Sequence, residues 1–513
     1  MATAPIVLPI AVPAVTAAVY ALVRWRPAMT WLAPLAALST LAVAIVNAIT
    51  VTGSGPVQAM GGLLRLDALS AYMLVVIGVI ASITTLATPG YLRVEVAAER
   101  ATGHTCARHN MLVQLFLAVM ALAVLAANLG VLWVAVEATT IVTAFLVGER
   151  RDRRAIEAAW KYVVICSAGI ALALLGVVLL NFASRQTGSG AGLDWGSLLA
   201  AAGRLDPGVT RLAVVLLIVG FGTKAGLAPL HAWVPSAYSQ APAPVAALMS
   251  GVLSSVGFYA VLRVKAIADA VLGVGLSRGL LLVLAMASLL IAASLLQAQR
   301  DYRRMLAYSS IEHMGLIALG AAVGTPLAIA AVLLHILGHG IAKTVLFLTA
   351  GRIQQSTGST SITSVAGLAG RYPLLAGCFG LGVAALIGLP PFSLFASELG
   401  IFRAGFASPV AWVMAPALLL VIFIAAALFV HTSRMLLGAD PDGESPGPAL
   451  VSADRTADHP AASAKTAVAT RRALLSRTTT AVLIGALTGS AVLGLSAWPL
   501  HGLLSLAAAA LQR

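Results

Sequence analysis

Apolar segments long enough to cross a lipid bilayer recur along almost the whole sequence, and they decide what this chain can fold into. A transmembrane helix needs roughly 20 mainly apolar residues. Here 60% of the 513 residues are apolar and only 10% are charged, whereas soluble proteins average about 25% charged residues. Because hydrocarbon cannot hydrogen-bond to a backbone, segments of this kind must be helical. The sequence therefore predicts an all-α integral membrane protein and excludes a soluble enzyme.

The apolar segments divide into about fourteen predicted spans. Their limits are 5–23, 28–52, 66–88, 109–127, 128–147, 159–182, 209–228, 243–264, 277–297, 309–322, 326–350, 374–402, 408–436 and 475–508. Glycine and proline interrupt span 7 at Gly226–Pro229 and span 12 at Gly388–Pro391. Paired interruptions in corresponding places are typical of inverted-repeat transporters, with the functional site near the interruptions. We therefore expect two inverted repeats, made of spans 4–8 and spans 9–13, with broken helices 7 and 12.

These limits give five regions of sequence. They are the N-terminal spans 1–3 (1–108), the first repeat (109–264), the second repeat (277–436), a linker (437–474) and the C-terminal span (475–513). The linker is polar and rich in proline, alanine and aspartate, a composition typical of flexible segments. We expect a flexible cytoplasmic linker that connects the second repeat to the last span.

Lysine and arginine are concentrated on one predicted side of the membrane. Of the 32 basic residues, 21 lie in loops or helix ends that follow odd-numbered spans, 9 follow even-numbered spans or lie near the C-terminus, and 2 lie inside spans. Cytoplasmic loops carry such an excess. The odd-numbered loops are therefore predicted to be cytoplasmic and both termini to lie outside. The net charge of +14 is explained by this topology, so we expect a lipid bilayer and no nucleic acid as a partner.

Ionisable residues inside the predicted spans are the candidates for function, because each costs at least about 2.5 kcal/mol at mid-membrane. The candidates for a proton relay are Glu137, Lys224, His335, His339, Lys343 and Glu398. Three further residues are candidates for proton uptake or a polar connection, namely His231 after the first interruption and Glu312 and His313 near the start of span 10. We find no catalytic residue among these candidates.

Glu137 and Lys224 suit a switchable proton site. Burial disfavours the charged ammonium, so a buried lysine gives up its proton readily, and an approaching carboxylate reverses this effect. A structural ion pair for Glu137 and a lysine that reaches the interface for Lys224 are the alternative interpretations. Glu398 follows the second interruption, in the place that corresponds to Lys224 in the first half, where it could instead cap a half-helix.

His335, His339 and Lys343 follow one another at intervals of four residues and therefore share one helix face. Imidazole both accepts and donates protons near neutral pH, which suits a hydrogen-bonded path. Interhelical hydrogen bonding alone is the alternative. Two histidines four residues apart also suit zinc, but no nearby glutamate or cysteine completes a ligand set, so we predict no metal in this chain.

Several motifs resemble one family of membrane subunits. Residues 224–251 (KAGLAPLHAWVPSAYSQAPAPVAALMSG), 303–315 (RRMLAYSSIEHMG) and 335–351 (HILGHGIAKTVLFLTAG), with Glu137 in span 5, resemble the antiporter-like subunits of respiratory complex I and of Mrp-type cation/proton antiporters. Residues 137–174 and the run SSIEHMG most resemble the F component of formate-hydrogenlyase-type hydrogenases, such as hydrogenase 4.

This resemblance implies a proton-translocating subunit of a complex-I-related respiratory or hydrogenase complex in a bacterial or archaeal plasma membrane. Its partners would be other antiporter-like subunits and a peripheral redox arm. The chain would hold no cofactor itself, and [NiFe] and iron–sulfur centres would lie in the partner subunits. Many relatives carry a central lysine in span 8, where this sequence has Ser255, which joins the candidates for a polar connection. The central step would then depend on Lys343, the histidines or water held by Ser254 and Ser255.

Three other functions agree with the same residues. The chain could belong to an Mrp-type Na⁺/H⁺ antiporter without a redox partner, or to a complex that uses proton flow to take up inorganic carbon. A purely structural subunit is the third alternative. The retained charges inside the spans argue against a structural role, because they are expensive to keep.

Overall fold

The structure is a computed structural model that describes residues 4–23, 25–187, 192–439 and 475–511. Among these residues, thirteen helices are long and apolar enough to cross a membrane. The twelfth predicted span forms two shorter helices instead. These observations confirm the predicted all-helical membrane fold. Of the predicted linker 437–474, residues 440–474 lie outside the described residues.

The first eight spans agree with prediction in number and order. They are α1 (Ala4–Leu22), α2 (Leu32–Ser54), α3 (Ala68–Ala97), α4 (Gly103–Leu125), α5 (Leu129–Val147), α6 (Arg153–Gln186), the pair α7a (Pro207–Ala225) and α7b (Trp233–Gln240), and α8 (Ala243–Leu272). A short hairpin of β1 (Val57–Ala59) and β2 (Leu64–Leu66), with Val57 opposite Leu66, joins α2 to α3. Short helices also occur at Pro27–Trp31, Gly148–Arg150, Trp195–Ala200 and Ala202–Arg204.

The remaining helices complete the second half. They are α9 (Val274–Leu296), α10 (Tyr302–Val323), α11 (Pro326–Thr357), the pair α12a (Pro373–Leu386) and α12b (Ser393–Phe406), α13 (Ala411–Leu437), α14 (Arg477–Leu495) and α15 (Trp498–Ala510). Neighbouring contacts in the first half have counterparts in the second: α4 packs on α5 as α9 packs on α10, and α6 packs on α7a as α11 packs on α12a. The limits of the two repeats stay a prediction.

Both predicted interruptions are present. Helix α7a ends where Gly226 adopts the left-handed conformation (φ 86°), which only glycine adopts without strain. Gly388 does the same after α12a (φ 68°). Each interruption therefore falls at a glycine followed within three residues by proline.

Several predicted spans have different limits in the structure, among them spans 10 and 14. Span 10 was expected to be short, beginning at 309, but α10 begins at Tyr302 because the carboxylate of Asp301 accepts a hydrogen bond from the Arg304 amide and caps the helix. The last span, expected over 475–508, is two helices. Ser496 is extended (φ −152°, ψ 108°) and a proline lies in the first turn of α15, a position that favours starting a helix anew.

The C-terminal part of α8 is fixed by a buried ion pair. The Arg263 guanidinium donates to the Asp67 carboxylate at 2.6 Å and to the Ser70 hydroxyl at 3.0 Å. Asp67 also caps α3. Burial disfavours the charged carboxylate, but the adjacent guanidinium outweighs this effect and lowers the pKa of Asp67 to about 2. The pair therefore ties the start of α3 to α8.

Helices α8 and α11 form the centre of the bundle, and their apolar windows are completely buried. Small residues allow this close approach. A β-carbon on Gly340 would lie 3.0 Å from the Gly251 carbonyl oxygen, and one on Gly351 would lie 2.2 Å from the β-carbon of Ala243. The polar residues of α11 therefore lie at the middle of the protein.

We expect Gly351→Ala to lower the free energy of unfolding by about 1–3 kcal/mol, because the added methyl overlaps a backbone-fixed atom of α8. Thermal unfolding of the purified protein in detergent measures this. Gly485→Ala in α14 is the matched control, since nothing lies within 4 Å of its added β-carbon. It should be neutral or stabilising by up to about 1 kcal/mol. Equal destabilisation by both substitutions would contradict the close packing of α8 and α11.

Candidate functional site

Lys224 is held at the first interruption by two hydroxyl groups. It lies in the last turn of α7a and is completely buried. Its Nζ donates to the Thr140 hydroxyl at 2.8 Å and to the Tyr162 hydroxyl at 2.7 Å. Tyr162 in turn shares a hydrogen bond of 2.6 Å with Thr143. Because the Thr143 hydroxyl donates to the Thr139 carbonyl, the Tyr162 hydroxyl must donate to Thr143.

Glu137 belongs to the same cluster but does not contact Lys224. Its carboxylate accepts from Thr140 at 3.0 Å and from Ser167 at 3.3 Å. Thr140 therefore accepts from the lysine and donates to the glutamate. The sequence predicted a Glu137–Lys224 pair, and the structure places one hydroxyl between the two charges. The three-residue spacing on α5 brings Thr140 beside Glu137, a signal that the sequence analysis missed.

Aromatic rings extend from this cluster towards the centre. The Tyr162 ring packs edge-on against Trp233 with centroids 5.1 Å apart, and Trp233 packs in the same way on Tyr238 at 5.7 Å. The Tyr238 hydroxyl shares a hydrogen bond of 2.7 Å with Ser254 and donates to the Met249 carbonyl at 3.2 Å. Tyr162 and Tyr238 are thus joined by rings and not by hydrogen bonds.

Helix α8 is distorted where these groups meet it. Residues Met249–Leu253 form a π-helical turn, a distortion that is frequent at functional sites. Ser250 shares a hydrogen bond of 2.9 Å with Ser310 of α10. Ser255, the predicted polar connection, bonds only weakly to the Gly251 carbonyl of its own helix at 3.5 Å. Ser250 and Ser254 therefore make contacts between helices, whereas the described hydrogen bond of Ser255 stays within α8.

Lys343 is the second completely buried lysine. Its Nζ donates to the Leu306 carbonyl at 2.6 Å and to the Ser309 hydroxyl. The Ser310 hydroxyl donates to the same carbonyl at 3.2 Å. Leu306 therefore links the lysine to the serine pair of α8 and α10. Among the described residues, neither this lysine nor Lys224 forms an ion pair with a carboxylate.

The histidines form a chain with a definite direction. His335 Nδ1 lies 3.0 Å from the Ser397 hydroxyl oxygen, and His335 Nε2 lies 3.0 Å from His313 Nδ1. The Ser397 hydroxyl donates to the Leu394 carbonyl, so it accepts from His335 Nδ1–H. His335 Nε2 then carries a lone pair and accepts from His313 Nδ1–H. The predicted partner on the same helix, His339, hydrogen-bonds to no described residue, and its ring lies 5.0 Å from that of His313.

Glu312 and His313 lie deeper than predicted. They were expected near the start of a span, but ten residues of α10 precede Glu312, a rise of about 15 Å. Both side chains are buried, and one Glu312 carboxylate oxygen contacts no described donor. Their position follows from the Asp301 cap that starts α10 early.

Glu398 and His231 are the remaining site residues that the sequence predicted. Glu398 lies in α12b, after the interruption, whereas Lys224 lies before its own, so the two do not correspond as expected. The Glu398 carboxylate still reaches back to the interruption, because a β-carbon on Gly388 would lie 2.4 Å from Oε2. His231 Nδ1 lies 3.1 Å from the Pro229 carbonyl and holds its own loop.

A comparison with known families identifies the chain. Residues 126–425, more than half of the sequence, match the family described as NADH:quinone oxidoreductase/Mrp antiporter, transmembrane. The chain belongs to this family. A hydrogenase-4 component F homolog of Methylacidiphilum infernorum (isolate V4) is 35% identical over 349 residues, which cover 68% of this chain and 73% of that protein.

Solved structures of this family share the whole fold. A chain of the membrane-bound sulfane sulfur reductase, an archaeal respiratory membrane complex, matches with a TM-score of 0.83 and 25% identity over 99% of this chain and 98% of its own. A chain of respiratory complex I from Thermus thermophilus with bound NADH matches with a TM-score of 0.76 and 25% identity over 99% and 100%. The predicted antiporter-like membrane subunit is confirmed.

One positioning residue of this family member was not recognised from sequence. Arg303 of α10 is completely buried and donates to the carbonyls of Tyr238 (3.1 Å) and Ala241 at the end of α7b, and to the Gln354 side chain at 3.0 Å. A cation suits the carbonyl end of a helix. Arg303 therefore fixes the half-helix that carries Tyr238. The adjacent Arg304 is exposed, which sequence alone does not distinguish.

We expect Arg303→Met to lower the free energy of unfolding by about 2 kcal/mol or more, because two buried carbonyls lose their donor. Thermal unfolding of the detergent-solubilised protein provides the measurement. Arg304→Met removes the same charge from the exposed neighbouring position and should change stability by no more than about 0.5 kcal/mol. Similar effects of the two substitutions would show that Arg303 does not fix α7b.

Proposed function

We propose that this chain moves protons across the membrane as the antiporter-like subunit of a complex-I-related or hydrogenase complex. The observation that carries the proposal is the pair of completely buried lysines, Lys224 and Lys343. Each is held by hydroxyl or carbonyl oxygens and forms no ion pair with a carboxylate of the described residues. A buried ammonium without an opposite charge is costly. Its protonation therefore responds to any charge that moves nearby, which is what a coupled proton carrier requires.

The path runs through two clusters and the centre of the bundle. Glu137, Thr140 and Lys224 form the first cluster, and Lys343, the histidines, Glu312 and Glu398 belong to the second half. The described hydrogen bonds leave three gaps: between Tyr162 and Tyr238, between Ser254 and Ser250, and between Lys343 and the histidines. Water or side-chain movement would carry a proton across them. Amine and imidazole groups favour protons over sodium as cargo, because hard cations prefer oxygen ligands.

The partial exposure of Glu137 favours the presence of a partner subunit. Its side chain is only partly buried, and its neighbours Val134 and Ile141 on α5 are 57% and 58% exposed. A carboxylate facing lipid is unfavourable. We propose that another antiporter-like subunit covers this face, and that a peripheral arm with [NiFe] or iron–sulfur centres carries the redox reaction. The plasma membrane, with the basic loops in the cytoplasm, is the proposed location.

Lys224→Ala should abolish proton movement, because it removes the amine at the end of the first cluster. The measurement is the quenching of a pH-sensitive dye in native membrane vesicles driven by the redox substrate of the complex. Lys161→Ala is the control, since Lys161 is an exposed lysine paired with Glu157. It should leave proton movement unchanged. Normal proton movement in the Lys224→Ala vesicles would refute the proposed function.

Thr140→Val should slow proton movement by about 10-fold or more, because a hydrogen bond to a charged group contributes roughly 1.5–3 kcal/mol. Valine keeps the shape of threonine and removes only the bridge between Lys224 and Glu137. Thr139→Val is the matched control, because the Thr139 hydroxyl bonds to the Val136 carbonyl of its own helix. The same vesicle assay compares them. Equal rates in the two variants would show that the bridge carries no proton.

A further inference from the structure

Three helices bring metal-binding groups together in the second half of the protein. His313 of α10, His335 of α11 and Glu398 of α12b each offer one ligand atom, and these atoms lie within 4.8 Å of one another. In the sequence His335 was considered with His339, and no carboxylate completed the set. The carboxylate comes from a helix more than 60 residues away in sequence, so spacing could not reveal it.

We propose that His313, His335 and Glu398 bind a divalent first-row transition ion of the Zn²⁺ class. Two imidazoles and one carboxylate are an established zinc ligand set that leaves a fourth position open. Imidazole and carboxylate together favour such ions over magnesium or calcium, which take oxygen ligands. Binding of the ion does not depend on the proposed function.

The orientation of His335 is already that of a metal ligand. The Ser397 hydroxyl accepts from Nδ1–H at 3.0 Å, which directs the Nε2 lone pair towards His313. Metal-bound histidines typically donate their other N–H in this way. Nε2 of His335 and Nδ1 of His313 lie 3.0 Å apart, close to the roughly 3.3 Å between two ligand atoms around tetrahedral zinc. The ring therefore needs little movement to bind.

The other two ligands can also bind. His313 is 1% exposed, and its Nε2 contacts no described hydrogen-bond partner, so this nitrogen can carry the ring proton when Nδ1 gives up its hydrogen bond to His335 and binds the ion. The Glu398 carboxylate accepts no hydrogen bond from the described residues and lies against Gly388, where the missing side chain makes room for it. Glu398 is also the partly exposed member of the set. An ion can therefore reach the site from the protein surface beside α12b.

Zinc binding to the purified full chain in detergent tests the proposal. Equilibrium dialysis with metal analysis should find one Zn²⁺ per chain, and Co²⁺ should give the visible absorption of a tetrahedral site. His335→Gln and Glu398→Gln should each weaken binding by at least about 10-fold, and Ser397→Ala by about 10- to 100-fold. Thermal unfolding of each variant checks that it is folded.

His431→Gln is the control. His431 is another buried histidine, on α13, which lies 3.2 Å from the Leu296 carbonyl and outside the site. It should leave zinc affinity unchanged. Binding that is unaltered in Glu398→Gln and Ser397→Ala, binding that falls equally in His431→Gln, or no zinc bound to the wild-type chain would each overturn the proposal.

A consequence of the metal site rests on the proposed function: bound zinc should stop proton movement, because it occupies the imidazole lone pairs of the path. The vesicle assay with added Zn²⁺ measures this. If zinc binds and protons still move, the metal site stands and the path through the histidines fails. If zinc does not bind but Lys224→Ala still abolishes proton movement, the proposed function stands and the metal site fails.

Discussion

The rest of the structure depends on the interruption between α7a and α7b, because backbone groups freed there must find partners inside the protein. In hydrocarbon a helix must satisfy its own backbone, so each interruption frees amides and carbonyls that other side chains must satisfy. Trp233 Nε1 donates to the Thr223 carbonyl at 2.9 Å, and the Ser288 hydroxyl accepts from the Ala228 amide at 2.9 Å. Arg303 completes the far end of α7b. Polar side chains of α7b, α9 and α10 therefore satisfy the backbone groups freed at the interruption and at the far end of α7b.

Both halves of the protein connect buried polar groups through hydrogen bonds, but they use different side chains. Around Lys224 the links are hydroxyls, and Thr140 can accept from the lysine while it donates to Glu137. In the second half, imidazoles form the links, and each passes a hydrogen bond to the next until the Leu394 carbonyl ends the chain. A hydroxyl relays a proton without holding it, whereas an imidazole holds one near neutral pH. The links of the second half can therefore accept protons themselves, whereas in the first half the groups that take up or release protons are Lys224 and Glu137 at the ends of the hydroxyl bridge.

The helices and their interruptions were predictable, because apolar length and glycine–proline pairs act locally. The partners of the polar residues were not. His335 was expected beside His339 on one helix, yet its partners His313 and Ser397 come from two other helices. Tyr162 was missed because a tyrosine in an apolar span carries no local signal of the lysine it contacts. The early start of α10 was in principle readable from Asp301, a helix-capping residue, and it moves Glu312 and His313 to the centre.

The histidine chain also explains why proton transfer and metal binding should compete at one place. The lone pair on His335 Nε2 that accepts a proton is the lone pair that a metal ion needs, and Ser397 directs it towards His313 in both cases. Metal ligands bind in their deprotonated forms, so binding releases protons and weakens as pH falls. Any arrangement of fixed, neutral imidazoles beside a carboxylate that serves a proton path is therefore also suited to a transition metal. Burial behind α12b, with only Glu398 partly exposed, limits how readily such an ion can reach the path.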